Sequence, residues 1–182
     1  MPPQETPNPA TTAANAFTAR DVTEILREKG WLLGDVSPAQ FAWCERAAAL
    51  LGSHAADRRA LADLLQTIFH YDALEILAKV ETHAVLSRYA ARDVLRHLAL
   101  LLLDGAPLTT DRFKEIIIAL KASVGLGSRE IFHPLRLALT GRAGGGELDR
   151  VILLLDEAAA LNFAVPVKSA RERIVEFCAA LD

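Results

Sequence analysis

The sequence predicts an all-α protein built from two small helical subdomains, and three observations carry that prediction. Hydrophobic residues make up 52% of the 182 residues but aromatics only 6%, the excess lying in Ala and Leu, which form helices more readily than strands. Apolar residues recur at spacings of three and four, as at Leu61, Leu64, Leu65 and Ile68, the mark of one buried helical stripe. Helix-start signatures precede several such segments, and no alternating strand pattern or internal repeat interrupts them.

Residues 1–16, MPPQETPNPATTAANA, are Pro-rich and lack the basic and apolar regions of a signal peptide, so a disordered tail is expected there. Phe17-Thr18-Ala19-Arg20-Asp21 reads as a hydrophobic staple and N-cap opening a helix to about Lys29, ended by Gly30. Ser37-Pro38-Ala39-Gln40 places a capping Ser, a Pro in the first turn and a Gln at its third position, for a helix reaching Leu51. A third helix is expected over Asp57 to Phe69, and further ones over Asp72 to Val80, His83 to Tyr89 and Ala90 to Leu103.

Asp104-Gly105-Ala106-Pro107 is the strongest punctuation in the chain. It sets the expected boundary between subdomains 17–104 and 105–182. The second half opens at Thr109 or Thr110 with a helix through Phe113, Ile116, Ile117 and Leu120, closed by Gly125-Leu126-Gly127. Ser128 is the expected cap of the next helix, which Pro134 should kink or restart near His133. Gly144-Gly145-Gly146 reads as a connector, Glu147 to Leu161 as an apolar helix, and Ser169-Ala170-Arg171-Glu172 as the capping box of a last helix to Leu181. The expected total is eight to ten helices.

Composition restricts function more than it specifies it. The net charge of −3 advertises no global field for nucleic acid. From Thr110 to Arg150, however, seven cations face five acids, so a polyanion site would be a local patch in the second half. Cys44 and Cys178 lack Cys-x-x-Cys spacing and read as free thiols in a reducing, cytoplasmic setting. The longest apolar run, from Leu98, is broken by Asp104, well short of a membrane span. The sequence holds no phosphate loop, nucleophile elbow or His-Glu-x-x-His pair. The triple glycine has neither the preceding strand nor the following Lys-Ser that would make it cradle phosphate. The five histidines have no metal-site spacing. No metal and no cofactor is expected.

The segment Phe132 to Leu148, FHPLRLALTGRAGGGEL, poses a specific question. An arginine inside a leucine-rich helix is costly unless something pairs with it. Arg136 can snorkel over Leu135 and Leu139 to reach a carboxylate, or it can face an anion together with Thr140 and Arg142.

The run SREIFHPLRLALTGRAGGGELDRVILLL resembles a segment of bacterial glutamyl-tRNA synthetases in which a helix ending in a PLR-x-ALTG-type run is followed by a Gly-containing turn and an apolar helix. LTTDRFKEIIIALKASVGLGSREIF is similar to that family's preceding helix and turn. The clear resemblance spans roughly Leu108 to Leu155 and implies the anticodon-binding part of the enzyme, a helical cage. Three departures stand out: Gly145-Gly146 where the family usually has Gly-Pro, Leu155-Asp156 where it commonly has Leu-Gly, and a last helix beyond the family's expected end. The HIGH-like and KMSKS-like signatures of the catalytic half are not found, so the expectation is a chain that lacks the ATP-binding domain and is not an enzyme by itself.

What the resemblance implies is a non-catalytic tRNA-binding module, with tRNA for glutamate as partner and a separate catalytic subunit as a second one. Arg136, Thr140 and Arg142 would lie near the bases, and Lys114, Lys121 and Arg129 on backbone phosphates. The competing expectation is a helical protein-interaction module that has lost RNA binding, using the apolar helix from Val151 to Leu161 as its docking surface.

Overall fold

The structure is a computed structural model and describes residues 17–182; the expected N-terminal tail lies outside the described residues. Among these residues the chain forms ten α-helices and one 3-10 turn, and no strand.

Most of the capping expectations are met atom by atom. Helix α1 (Ala19–Glu28) opens on a reciprocal box between Thr18 and Asp21, and α2 (Pro38–Leu51) on one between Ser37 and Gln40. Asp57 caps α3 (Arg58–Phe69) and Asp72 caps α4 (Ala73–Leu77). The region expected to hold helices from Asp72 to Tyr89 is divided differently, into the short α4 and α5 (Val80–Leu86), before α6 (Ala91–Leu102). Thr109 caps α7 (Thr110–Val124), which Gly125 ends in the left-handed conformation.

Helix α8 (Ser128–Thr140) corrects two local expectations. Its N-cap is Gly127, whose N–H donates to the Glu130 carboxylate, and Ser128 is already helical. The helix also continues through Pro134, with no restart near His133. Pro134 is buried, and tertiary packing outweighs the one backbone hydrogen bond it removes. Helix α9 (Glu147–Ala160) follows, and α10 (Ala170–Leu181) opens on the expected Ser169–Glu172 box.

Two helices organise the packing. Helix α8 lies against α5, α6, α7, α9 and α10, and α9 against α2, α3, α8 and α10. The buried cluster therefore runs continuously from the N-terminal helices through both central ones. Val151, Ile152, Leu153, Leu154, Leu155 and Ala158 of α9 are all buried. The apolar helix expected to offer a docking surface is thus the middle of the core, and its hydrophobicity needs no external partner.

The scarce aromatics are concentrated where α2, α3 and the segment after α9 meet. Trp31 stacks on Phe69 at 4.8 Å between ring centroids, and Trp43, Phe69 and Phe163 meet edge to face at 5.1 to 5.8 Å. Trp43 is fully buried and its indole N–H donates to Leu154 O.

The Asp104–Pro107 turn is fastened from two sides. Arg112 donates to Ala106 O, Leu101 O and the Asp104 carboxylate. The Asp156 carboxylate accepts from Leu108 N at 2.7 Å and from Ala170 N at 2.8 Å, tying this turn to the start of α10. Both cysteines are free thiols; burial pushes the pKa of each upward, which makes them poor nucleophiles.

Candidate nucleic-acid interface

The candidate site is built around the end of α8. Gly141 takes up left-handed backbone, φ 76°, and its N–H donates to Leu137 O at 2.8 Å, closing the last turn. A Cβ at this position would stand 3.1 Å from Ile76 Cγ1, so both conformation and space call for glycine. Gly141→Ala is expected to lower stability by about 1–2 kcal/mol, the cost of forcing an L side chain into this backbone region. Urea unfolding would measure it, and an unchanged midpoint would show that the turn rearranges freely.

The turn is also held by side chains. Thr140 is buried, and its hydroxyl donates to Arg136 O at 2.8 Å and accepts from Arg142 N at 3.4 Å. Lys79, from the start of α5, donates to Gly141 O at 3.3 Å.

Arg136 is engaged by the fold on every nitrogen. Nε and one terminal nitrogen donate to the two Asp149 oxygens at 2.7 and 2.8 Å, and the other terminal nitrogen donates to Gly144 O at 3.1 Å. Its guanidinium carbon lies 4.8 Å from the centre of the Phe132 ring. The Arg136 and Asp149 side chains are only 13% and 22% exposed, so the pair is largely shielded from water. Of the two possibilities left open by the sequence, the geometry is the paired one: Asp149, in the first turn of α9, clamps the glycine segment onto α8.

Arg142 is placed differently. It is exposed and makes no ion pair among the described residues. It stands at a cleft of about 280 Å³ whose lining also includes Lys79, Tyr71 and Thr140 and the carboxylates of Asp63, Asp72 and Glu75. Arg129 is exposed in the first turn of α8, and Lys121 is exposed in the last turn of α7. Lys114, exposed and 4.0 Å from Asp111, borders a separate hollow with His54 and Arg150. Lys114 and Lys121 are two turns apart on one face of α7. The structure thus joins Thr140 and Arg142 at one cleft and leaves the two lysines outside it.

Lys79, which lines this cleft and holds the Gly141 carbonyl, was missed by the sequence reading. It comes from a helix distant in sequence and carries no local signal. A second missed residue is Arg173, in α10, fully buried with its guanidinium on the carbonyls of Thr67, Ile68 and Leu139.

Residues 11–162 match the family model described as an anticodon binding domain. The chain is 36% identical over 74 residues to "Glutamate--tRNA ligase 2" of Syntrophus aciditrophicus, covering 41% of this chain and 15% of that protein. It is 33% identical over 86 residues to the glutamate–tRNA ligase of Carboxydothermus hydrogenoformans, covering 47% and 18%. It is 31% identical over 136 residues to that of Geobacillus thermodenitrificans, covering 71% and 26%. The matched region therefore spans only 15% to 26% of the length of these relatives. Helix α10 lies beyond the residues that the family model matches.

Proposed function

The chain belongs to the anticodon binding domain family, and from that premise we propose that it is a tRNA-binding module that recognises the anticodon arm without catalysing a reaction, tRNA for glutamate being its partner. The observation that carries the reading is the match to that domain over residues 11–162; the names of the similar proteins suggest the tRNA. Ligation of glutamate belongs to those proteins by name and is not assigned to this chain.

In this reading Arg142 is the base-contacting cation. It is exposed and makes no ion pair among the described residues, and a guanidinium fork is suited to the edge of an unstacked base. Arg129, Lys121 and Lys114 supply phosphate contacts. Arg136 and Thr140 are positioning residues: they hold the turn from which Arg142 projects.

Binding to pooled tRNA at two salt concentrations tests this. Selective retention of one tRNA is expected, with affinity falling steeply as salt rises. Arg142→Ala should weaken the selected complex by about 1–3 kcal/mol and blur the selection, while Lys121→Ala should weaken all tRNAs alike. Failure of the folded wild-type chain to select any tRNA at low salt would sink the reading.

A further inference from the structure

Of the eleven aromatic residues, all within the described region, only Phe41 and Tyr89 are exposed, and Tyr89 is 88% exposed. Tyr89 is thus the most exposed ring of a chain whose other rings, Phe41 apart, are buried or half-buried. Tyr89 sits in the connection between α5 and α6, immediately before Ala90, whose φ of 57° makes it the one non-glycine residue in the left-handed region among those described. Such a conformation is costly for alanine.

The residue preceding Tyr89 reaches across to α8. A terminal nitrogen of Arg88 lies 2.7 Å from His133 Nδ1. Arginine can only donate, so Nδ1 is the acceptor and the imidazole carries its hydrogen on Nε2. That Nε2–H is left as a donor. His133 is held below its usual pKa by burial first, and then by Arg88, Arg129 and Arg136; every charge acting on it is positive. Arg136 is neutralised by Asp149. Arg88 and Arg129 have no carboxylate partner among the described residues, and Arg129 is one helical turn before His133 on the same face of α8.

We propose that Arg88, Tyr89, Arg129 and His133 form a second RNA contact, taking one unpaired nucleotide with its phosphate. The donor set offers an anion two guanidinium groups and an imidazole N–H, neither guanidinium being paired with a carboxylate among the described residues. The adjacent exposed ring offers a face for the base, which stacking accepts whatever the sequence. Phosphate alone would not require the aromatic, and an apolar partner would desolvate the guanidinium groups without supplying a counter-charge. A single-stranded RNA segment satisfies both features. The inference rests on the tRNA-binding reading above, and places a contact on the opposite end of α8 from Arg142.

The test measures affinity of the full chain for tRNA and for a short single-stranded oligouridylate, with thermal unfolding confirming that each variant folds. Tyr89→Ala should weaken the oligouridylate complex about tenfold, and Tyr89→Phe should leave it close to wild type. Arg88→Gln with Arg129→Gln should lower the dependence of log affinity on log salt by about 1.4, roughly 0.7 for each lost phosphate contact on a single strand. If wild type binds tRNA and Tyr89→Ala with the double glutamine variant bind both ligands as wild type does, the second contact is overturned while the tRNA reading stands. If wild type ignores tRNA but binds oligouridylate in a Tyr89-dependent way, the tRNA reading fails and the contact remains. If it binds neither, both fall.

Discussion

Arg173→Met should lower the free energy of unfolding by about 3–5 kcal/mol, a large fraction of the stability of a domain this size. Arg173 is fully buried. One terminal nitrogen donates to Thr67 O at 2.7 Å and Leu139 O at 2.9 Å, the other to Ile68 O at 2.5 Å, and Nε to Lys168 O at 3.0 Å. Thr67 and Ile68 lie in the last turn of α3, and Leu139 in that of α8. These are carbonyls that the helices themselves cannot satisfy, at the negative ends of two helix dipoles. The guanidinium is thus a shared C-cap. Burial pushes its pKa down to about 10, which leaves it protonated at neutral pH.

The Tyr71 ring covers the same group, its centre 4.7 Å from the guanidinium carbon, and its hydroxyl donates to Ala138 O. Methionine would fill much of the aliphatic volume but leave several buried acceptors without donors, each costing about 1–3 kcal/mol. Urea unfolding would read the effect as a lower midpoint at unchanged slope. A loss under about 1 kcal/mol would mean that water enters to replace the guanidinium.

Where the sequence was legible and where it was not follows from the range of the interactions involved. Capping boxes at Thr18, Ser37 and Ser169 are local, four residues long, and all three form as read. The interval from Asp72 to Tyr89 was harder, because α4 and α5 are too short to show a period. Arg173 carried a signal that went unused: it falls on the stripe formed by Ala170, Ile174 and Phe177, all fully buried. A lone arginine on such a stripe indicates a buried cation, though its carbonyl partners lie far away in sequence. Asp156 is similar. As a departure from the family pattern it had no meaning in sequence, yet its carboxylate secures the first residue of α10, the helix beyond the family match. The two departures are physically one feature.

The Arg136–Asp149 pair provides the second large effect. Arg136→Ala removes one side of a bidentate, mostly buried ion pair, along with the bond to Gly144 and the contact with Phe132. A stability loss of about 2–4 kcal/mol is expected, with a similar loss for Asp149→Ala, since each leaves the other charge stranded. The double variant should be less destabilised than the two losses added together, with a coupling of about 1–3 kcal/mol in a double-mutant cycle.

The sign of the RNA effect separates the two roles Arg136 could have. Were Arg136 a direct RNA contact, Asp149→Ala would release a guanidinium and delete a nearby negative charge, and both changes would tighten tRNA binding. Were Arg136 a positioning residue, Asp149→Ala would loosen the Gly144–Asp149 segment beside Arg142 and weaken binding as Arg136→Ala does. The geometry leaves no Arg136 nitrogen without a protein acceptor, so weaker binding in both single variants is the expected result. Tighter binding by Asp149→Ala would return Arg136 to the RNA surface and show that the ion pair opens to receive the ligand.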